Sequence, residues 1–400
     1  MWRRVIRPAL VRIKRAGLKA LWPLRYAREY GQPVTMRAAR AASRRALVSY
    51  LLEPVLRGPR HPIFRTHTNA WESREIVRIF GDLGYDVDVI DCANTRYEPS
   101  RPYDVVFDTR TNLQRLAPLL PADTIKIFYA VGFYVGRRNG PDGELARVSA
   151  LERRRGRRYA PKRLLRDPEL IRRSLDLADH IVVTGNAVTR ASFPQALQHK
   201  ISSLVTISAA PSSAGKSPER YVPAQREFVW MFGEGLVHKG LDLVIEAVAR
   251  QPSLKLNIFG RMERDFREIY REELAQPNIE FHGFHTPDSE RFAHVVGRCV
   301  AFVAPSCSEG MSPACATLMG VGLLPIVSRQ TGIDLPPGAG TYLEDCSIEE
   351  IERRLLDVKH MPEAELRAQI TRTHRAASEA YSRDAFSARM RAALEAIVPS

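Results

Sequence analysis

The sequence has few cysteines and no long apolar run, and each scarcity excludes a class of protein. Its five cysteines are scattered over 400 residues, and no two of them form a C-x-x-C pair. This pattern argues against a disulfide framework and a structural zinc site, and it fits a reducing cytosol. No apolar stretch reaches the roughly 18 residues that a membrane-spanning helix needs. Basic residues interrupt the first 20 positions, so no secretory signal is expected.

Acidic residues are scarce at the beginning of the chain. The first 60 residues hold fifteen arginines and lysines against two glutamates, so they carry +13 of the formal net charge of +15. The rest of the chain is nearly neutral, which argues against nucleic acid as its main partner. An anionic partner is therefore expected at the N-terminal arm.

Residues 2–25 place apolar side chains, among them Trp2 and Trp22, at helical spacing between basic ones. A basic amphipathic helix with tryptophans is typical of a segment that lies on an anionic membrane surface. A basic leader without membrane contact, or a helix packed on the protein body, would show the same pattern. We interpret residues 1–60 as a basic amphipathic N-terminal extension. The membrane alternative predicts a cytoplasmic protein with peripheral contact at the inner face of the cell membrane.

From residue 61 onward, short apolar strands alternate with helical stretches. The strands predicted for the first half are 63–66, 85–91, 104–108, 125–130, 180–185 and 204–208. Because a helix between two strands forces them to pair in parallel, residues 61–212 are predicted to form a Rossmann-like domain that binds the acceptor. Residues 137–175 interrupt this rhythm with a charged helical insertion. The insertion is either solvated or forms a rim that binds an anionic acceptor or a lipid headgroup.

A second series of strands follows a stretch rich in Pro, Ser, Ala and Gly at 209–224, which we interpret as an interdomain linker. The strands predicted there are 228–232, 254–259, 279–282, 300–304 and 323–327. Residues 225–380 are therefore predicted to form a second Rossmann-like domain, and residues 381–400 a C-terminal helix that returns to the first domain. The predicted fold class is α/β, with two Rossmann-like domains facing a cleft.

Two loops of the second domain carry the groups expected of a ligand site. Residues 232–240 read FGEGLVHKG between a strand and a helix. Gly233 and Gly235 would let the backbone approach an anion, and Lys239 adds a cation, although such a turn is often only a tight turn. Residues 300–328 form a strand, a loop, a helix and a second strand, with Glu309 and Gly310 on the loop.

The two loops follow strands of one parallel sheet, so they should open on the same edge. A pyrophosphate would suit Lys239 and the N-terminus of the helix that begins near Pro313. The Glu309 carboxylate instead suits the hydroxyls of a neighbouring sugar, which it can accept as hydrogen bonds. Together these groups indicate a binding site for a nucleotide sugar.

Five segments in this order resemble the C-terminal domain of glycosyltransferase family 4, the group 1 retaining GT-B enzymes: FGEGLVHKGLDLVIEA, LKLNIFG, NIEFHGF, CVAFVAPSCSEG and GLLPIVSRQTGID. The similarity spans residues 228–342. It implies GT-B architecture and a retaining, metal-independent glycosyltransferase that moves a sugar from a nucleotide-sugar co-substrate to a glycan or glycolipid acceptor. The resemblance further implies a role in cell-surface polysaccharide biosynthesis, with no metal and no cofactor.

The resemblance also implies roles for single residues. Glu309 would contact the donor hexose, and Lys239 the diphosphate, and these two are the expected catalytic groups. Thr317 stands where the family has a second glutamate, and Glu234 stands where it has an arginine, which we expect to point away from a diphosphate. The donor-binding residues expected in full are Gly233, Gly235, Lys239, Gly240, Phe284, Glu309, Gly310, Met311, Ser312 and Thr317.

The acceptor side is less clearly marked. Related enzymes often carry a histidine in a first-domain loop that corresponds to residues 130–140, but this loop has none. His67 and Asn69, at the end of the first predicted strand, are the acceptor-side candidates, with a structural role for the histidine as the alternative. Two other functions stay open. One is a non-catalytic sugar-binding or scaffold protein, and the other is a nucleotide-sugar epimerase, which the lack of an obvious acidic pair disfavours.

Overall fold

The computed structural model describes residues 31–39, 42–66, 68–140, 143–208, 223 and 226–399. The amphipathic helix predicted within residues 2–25, His67 and most of the predicted linker lie outside these described residues. No helix in the described part of the chain is long and apolar enough to cross a membrane.

The first domain is built on a seven-stranded sheet in the order β1-β3-β2-β4-β5-β6-β7. Only β1 is antiparallel; each of the other neighbours pairs in parallel. The strands are β1 (Val34–Met36), β2 (Arg44–Tyr50), β3 (Tyr85–Asp91), β4 (Val105–Asp108), β5 (Ile125–Ala130), β6 (His180–Thr184) and β7 (Ile201–Leu204). The helices are α1 (Glu53–Leu56), α2 (Ile63–Thr66), α3 (Thr68–Asp82), α4 (Asn112–Leu116), α5 (Val135–Arg138), α6 (Glu144–Arg155), α7 (Pro168–Leu177) and α8 (Ala187–Ala191).

The start of this domain differs from the prediction. Residues 63–66 form the short helix α2, whereas the first parallel strand is β2, inside the stretch interpreted as an N-terminal extension. β2 lies in the centre of the sheet between β3 and β4, and residues 46–50 are buried. In the sequence, Arg44 looks like part of a solvated basic segment, so the strand is not predicted. In the structure its guanidinium lies 4.6 Å from the centre of the Tyr85 ring. The sheet domain therefore begins before residue 61.

The second domain has a six-stranded, fully parallel sheet in the order β10-β9-β8-β11-β12-β13. Its strands are β8 (Glu227–Met231), β9 (Leu256–Phe259), β10 (Ile279–Gly283), β11 (Cys299–Ala304), β12 (Leu324–Ser328) and β13 (Thr341–Leu343). Its helices are α9 (Leu241–Ala249), α10 (Arg264–Ile269), α11 (Glu290–Val296), α12 (Pro313–Gly320), α13 (Ile348–His360) and α14 (Glu363–Ala380). β11 and β12 are buried along their whole length, as expected of strands covered by helices on both faces.

The last helix, α15 (Arg383–Glu395), packs on the first domain. Phe386, Met390 and Leu394 are buried in the same apolar cluster as the first-domain strands β2 to β5. Ser387 Oγ donates a hydrogen bond of 2.6 Å to Glu75 Oε1 on α3. The end of the chain thus completes the core of the domain with which the chain begins.

The charged insertion forms a connection between the two domains. We call residues 143–166 the bridging segment. Val148 and Leu151 on α6 are buried in the apolar core of the second domain. Arg154 Nη2 lies 2.7 Å from Asp242 Oδ2, and Lys162 Nζ lies 2.7 Å from Asp265 Oδ2. The segment is therefore neither a freely solvated helix nor only a rim, because it packs one face against the second domain.

Candidate active site

The two domains meet at the carboxyl ends of their sheets. Gly132 follows β5 of the first domain, and Gly310 follows β11 of the second. A Cβ atom added to Gly310 would lie 2.6 Å from the Gly132 Cα and 2.7 Å from the Thr184 carbonyl oxygen, so only glycine fits there. The Gly310 carbonyl accepts a hydrogen bond of 2.7 Å from Thr189 Oγ1 of the first domain. The backbones of the two domains are thus in contact at this point of the cleft.

Lys239 and Glu309 form an ion pair on the second-domain side of this contact. Their side chains are 8% and 12% exposed, respectively. The Lys239 ammonium also lies 4.8 Å from the centre of the Phe232 ring, and His238 Nε2 donates to Glu309 Oε1 at 3.3 Å. The carboxylate therefore accepts from two neighbours in sequence, both at the end of the Gly-rich turn.

Local backbone geometry brings His238 and Lys239 into the cleft. Gly240, with φ +73°, follows them and leads into α9. A Cβ atom on Gly240 would lie 2.5 Å from Pro305 Cγ, which explains the glycine in steric terms. Gly240 therefore has a steric role where the loop after β11 approaches the start of α9.

The environment sets the charge of each of these groups. Burial alone would raise the pKa of Glu309, but the Lys239 ammonium and the His238 hydrogen bond outweigh it and hold this pKa well below its usual value. Burial lowers the pKa of Lys239, and the Glu309 carboxylate opposes that effect. Burial also lowers the pKa of His238, so its imidazole is neutral at pH 7. The site holds one ionised carboxylate paired with one ammonium.

The Gly-rich turn already holds an anion from the protein itself. Gly235 N donates 2.7 Å to Glu263 Oε1, and the Leu236 amide reaches the same oxygen at 3.4 Å. Tyr159 of the bridging segment donates its hydroxyl to the other oxygen of Glu263. The anion expected at this turn is thus a glutamate side chain. Gly233, two residues before Gly235, is exposed.

Glu234 points away from the cleft. Its side chain is 62% exposed and lies 3.4 Å from Arg261 Nη1. The reversed charge at this position therefore does not face the Lys239–Glu309 pair. Arg261 also lies 5.6 Å from the ring of Phe284, which is 49% exposed, so Phe284 belongs to this surface cluster.

The loop after β11 leaves two adjacent amides available. Glu309 N donates to the Gln330 carbonyl and Ser312 N to the Thr331 carbonyl, each at 3.0 Å. Within the described residues, the N–H groups of Gly310 and Met311, between them, have no protein acceptor. Ser312 Oγ caps the N-terminus of α12 by accepting from the Cys315 amide at 3.4 Å. Two adjacent N–H groups without a protein acceptor, in the loop that leads into a helix, are suited to an anion.

Three further predicted residues have other surroundings. Met311 is buried, and its sulfur accepts from the Thr206 amide at 3.3 Å. Thr317 is buried on α12, where its hydroxyl donates 2.7 Å to the Pro313 carbonyl one turn earlier. Asn69 lies half-buried on α3, not at the end of a strand. The structure thus brings together Lys239, Glu309 and the amides that follow Glu309, and gives Thr317 a bond inside its own helix.

Sequence reasoning missed two arginines of the first domain. Arg138, at the end of α5, is 8% exposed, and its Nε donates 3.2 Å to the Arg163 carbonyl. Arg163 lies on the bridging segment, and its Cγ would be 2.2 Å from a Cβ atom on Gly235. Their only signal in the sequence is a place in a charged insertion with twelve arginines, and nothing local separates these two from the other ten.

Comparison with known proteins finds one family that matches part of the chain, and solved structures with a similar fold. Residues 216–376, about two fifths of the chain, match the family of the group 1 glycosyl transferases. No curated protein matches the chain in sequence.

Solved structures are similar over most of the chain. One is sucrose-phosphate synthase from Thermosynechococcus elongatus, with a TM-score of 0.61 and 13% identity over 88% of this chain and 98% of that one. WaaG, a glycosyltransferase involved in lipopolysaccharide biosynthesis, has a TM-score of 0.56 and 13% identity over 89% of this chain and 100% of its own. HepE of Anabaena, solved with UDP and glucose, has a TM-score of 0.53 and 12% identity over 74% and 78%. The predicted α/β fold with two Rossmann-like domains in GT-B architecture is confirmed.

Proposed function

We propose that the chain is a retaining, metal-independent glycosyltransferase of the glycosyltransferase family 4 type, which moves a sugar from a nucleotide-sugar donor to a glycan or glycolipid acceptor. The observation that carries the proposal is the buried Lys239–Glu309 pair beside the free amides of Gly310 and Met311, at the edge where two Rossmann-like sheets meet. The match of residues 216–376 to group 1 glycosyl transferases supports it.

The groups divide between the two parts of the donor. The free amides of Gly310 and Met311, with Lys239 beside them, face the diphosphate, because an anion there gains hydrogen bonds from N–H groups that have no other acceptor. Glu309 is ionised and accepts hydrogen bonds from hydroxyls of the donor sugar. Lys239 is paired with Glu309, so it holds Glu309 in place before the donor binds and shares its charge with the diphosphate afterwards.

The reaction needs little covalent chemistry from the protein. The bond between the sugar C1 and the diphosphate oxygen breaks, the acceptor hydroxyl oxygen bonds to C1 on the same face, and its proton passes to the departing diphosphate. Lys239 and the two amides stabilise the charge that grows on the diphosphate. Donor groups of this kind are worth about 3 kcal/mol each in other enzymes. Surface polysaccharide or glycolipid assembly is the pathway class we assign to it.

A panel of UDP- and GDP-sugars tests the function. We expect one of them to be hydrolysed slowly without acceptor, as followed by release of free nucleotide. Glu309→Gln should abolish turnover, whereas Lys255→Met, which alters an exposed pair with Glu280, should not change it. If no donor in the panel binds or turns over, the transferase proposal is refuted.

A second function is favoured by two observations. The Gly-rich turn is occupied by Glu263, and the Thr317 hydroxyl, at the position of the family's second glutamate, bonds to Pro313. Both are what a non-catalytic sugar-binding or scaffold protein would show. Binding of a nucleotide sugar without any turnover in the same panel would identify that function.

The basic N-terminus is our proposed contact with the membrane surface at its cytoplasmic face. Its support is the charge and periodicity of the sequence. The test deletes residues 1–30 and stops there, because β2 begins at Arg44 in the centre of the sheet. Sedimentation with vesicles containing anionic lipid should be lost in the deletion, and unchanged sedimentation would refute the contact.

A further inference from the structure

Two arginines of the first domain face the candidate donor site and form no salt bridge with an acidic side chain of the described residues. Arg138 Nη1 would lie 3.3 Å from a Cβ atom on Gly132, and the Gly310 amide nitrogen would lie 3.9 Å from the same atom. Arg138 therefore reaches the point where the free amides of the second domain begin. It is buried, and in the described part of the chain its guanidinium has only the Arg163 carbonyl as acceptor.

Arg163 lies over the other loop of the site. Its aliphatic stem covers Gly235, because its Cγ and Cδ would be 2.2 and 2.8 Å from a Cβ atom there. Its Nε is buried and has no hydrogen-bond partner in the described residues. A buried guanidinium nitrogen without an acceptor is costly, and a ligand oxygen would remove that cost.

Three other cations of the bridging segment provide a contrast. Arg154 pairs with Asp242 at 2.7 Å, Arg155 with Glu273 at 2.6 Å, and Lys162 with Asp265 at 2.7 Å. These pairs attach the segment to the second domain and leave no charge for a ligand. Among the described residues, neither Arg138 nor Arg163 forms an ion pair of this kind.

The carboxylates at the cleft are already bound by protein groups. Glu309 pairs with Lys239, and Glu263 accepts from the Gly235 amide at 2.7 Å. The buried Glu144 accepts from the Lys162 and Arg163 amides at 2.8 and 2.7 Å. Burial, and after it the neighbouring Arg163 charge, lower the pKa of Arg138, whereas Glu309 and Glu144 act in the opposite direction. An anion between Arg138 and Arg163 would relieve the repulsion between their two charges.

We propose that Arg138 and Arg163 bind the diphosphate of the donor from the first-domain side, and so supply the cation that is absent where Glu234 stands. The inference rests on the proposed function. Their guanidinium groups form two-pronged hydrogen bonds with phosphate oxygens, opposite the amides of Gly310 and Met311. The diphosphate is then held by both domains at once, and its binding joins them across the cleft.

The test compares nucleoside diphosphates with monophosphates by isothermal titration calorimetry. The probes are UDP and GDP, with UMP and GMP as the matched ligands that lack the second phosphate. We expect Arg138→Met and Arg163→Met each to lower the ratio of diphosphate to monophosphate affinity at least tenfold. The control is Arg166→Met, an exposed residue of the same segment, which should leave that ratio unchanged.

A rescue variant separates charge from packing. Arg163→Met keeps the stem that covers Gly235, so its thermal unfolding should match that of the unmodified chain. Arg163→Lys restores the charge without the planar guanidinium, and should recover part of the lost ratio. If Arg138→Met unfolds, the affinity ratios of Arg163→Met and Arg163→Lys test the proposal by themselves.

The outcomes distinguish this inference from the proposed function. If the unmodified chain binds UDP or GDP and both methionine variants keep the ratio of the Arg166→Met control, the arginine assignment is wrong and the function stands. If the unmodified chain binds none of the four nucleotides, both are overturned.

Discussion

Replacement of Lys239 by methionine tests the central ion pair of the site. The variant keeps most of the side-chain volume but removes the ammonium from beside Glu309, whose carboxylate is 12% exposed. The remaining partner in contact is His238, at 3.3 Å. Breaking a buried pair in this way costs about 3 to 5 kcal/mol, because one charge stays buried without its partner. Arg138 and Arg163 lie nearby and offset part of this cost, so we expect about 3 kcal/mol.

The size of the expected effect can be stated as a melting temperature. For a domain of 150–250 residues, 1 kcal/mol shifts the midpoint by about 2–4 °C, so Lys239→Met should lower that of the second domain by roughly 6–12 °C. Differential scanning calorimetry without nucleotide is the assay, because it can resolve the transitions of two domains. The control is Lys255→Met, whose partner Glu280 is 3.7 Å away with both side chains more than a third exposed. It should cost less than about 1 kcal/mol.

A double variant completes the cycle. Lys239→Met combined with Glu309→Gln leaves no unpaired charge, so it should be more stable than the sum of the two single changes predicts, by about 2 kcal/mol. Equal costs for Lys239→Met and Lys255→Met, or strict additivity in the double variant, would refute the view that the two groups are held as a buried pair.

Two further predictions concern the first domain and its contact with the second. Gly310→Ala places a Cβ atom 2.6 Å from the Gly132 Cα, so the two domains must separate. We expect a larger radius of gyration in small-angle X-ray scattering and loss of turnover. The control Gly81→Ala, on α3, should change neither, because a Cβ atom there meets no atom within 4 Å. Burial raises the pKa of Glu72 from 4.5 to about 7 in the folded chain. As the pH rises, the unfolded chain therefore loses this proton before the folded chain does. The folded state is destabilised relative to the unfolded state as the pH rises from 4.5 to 7. The free energy of unfolding of Glu72→Gln, minus that of the unmodified chain, should therefore rise by about 3 kcal/mol from pH 4.5 to 8. Urea denaturation measures both values, and a difference that does not change with pH would contradict the prediction.

Strands buried on both faces could be predicted well from the sequence. The predictions for β3 and β5 match the observed bounds, that for β11 begins one residue late, and that for β8 is shifted by one residue at both ends. The run of β11 is wholly apolar, and β3 and β5 are rich in β-branched and aromatic residues, which favours strands. β2 was missed because its two initial arginines continue the basic run before it. One of them stacks on Tyr85, a contact between residues 41 positions apart that no local pattern encodes.

The sequence predicts those parts of the site that lie within a single loop after a strand. The rule that ligands sit at the carboxyl ends of parallel strands brought Lys239 and Glu309 to one edge, and the structure has them in contact. Glu263 on the Gly-rich turn and Arg163 over Gly235 could not be inferred in this way. Each depends on how a side chain from a distant segment is placed in three dimensions, and neither belongs to a local motif.

The return of α15 to the first domain has a consequence for synthesis of the chain. Phe386, Met390 and Leu394 fill the core beside β2 to β5, yet they emerge from the ribosome after the whole second domain. The second domain can therefore finish folding while the first still exposes an apolar groove. During that interval the groove is open to chaperones or to the α15 helix of another nascent chain, and exchange of that helix would link two molecules.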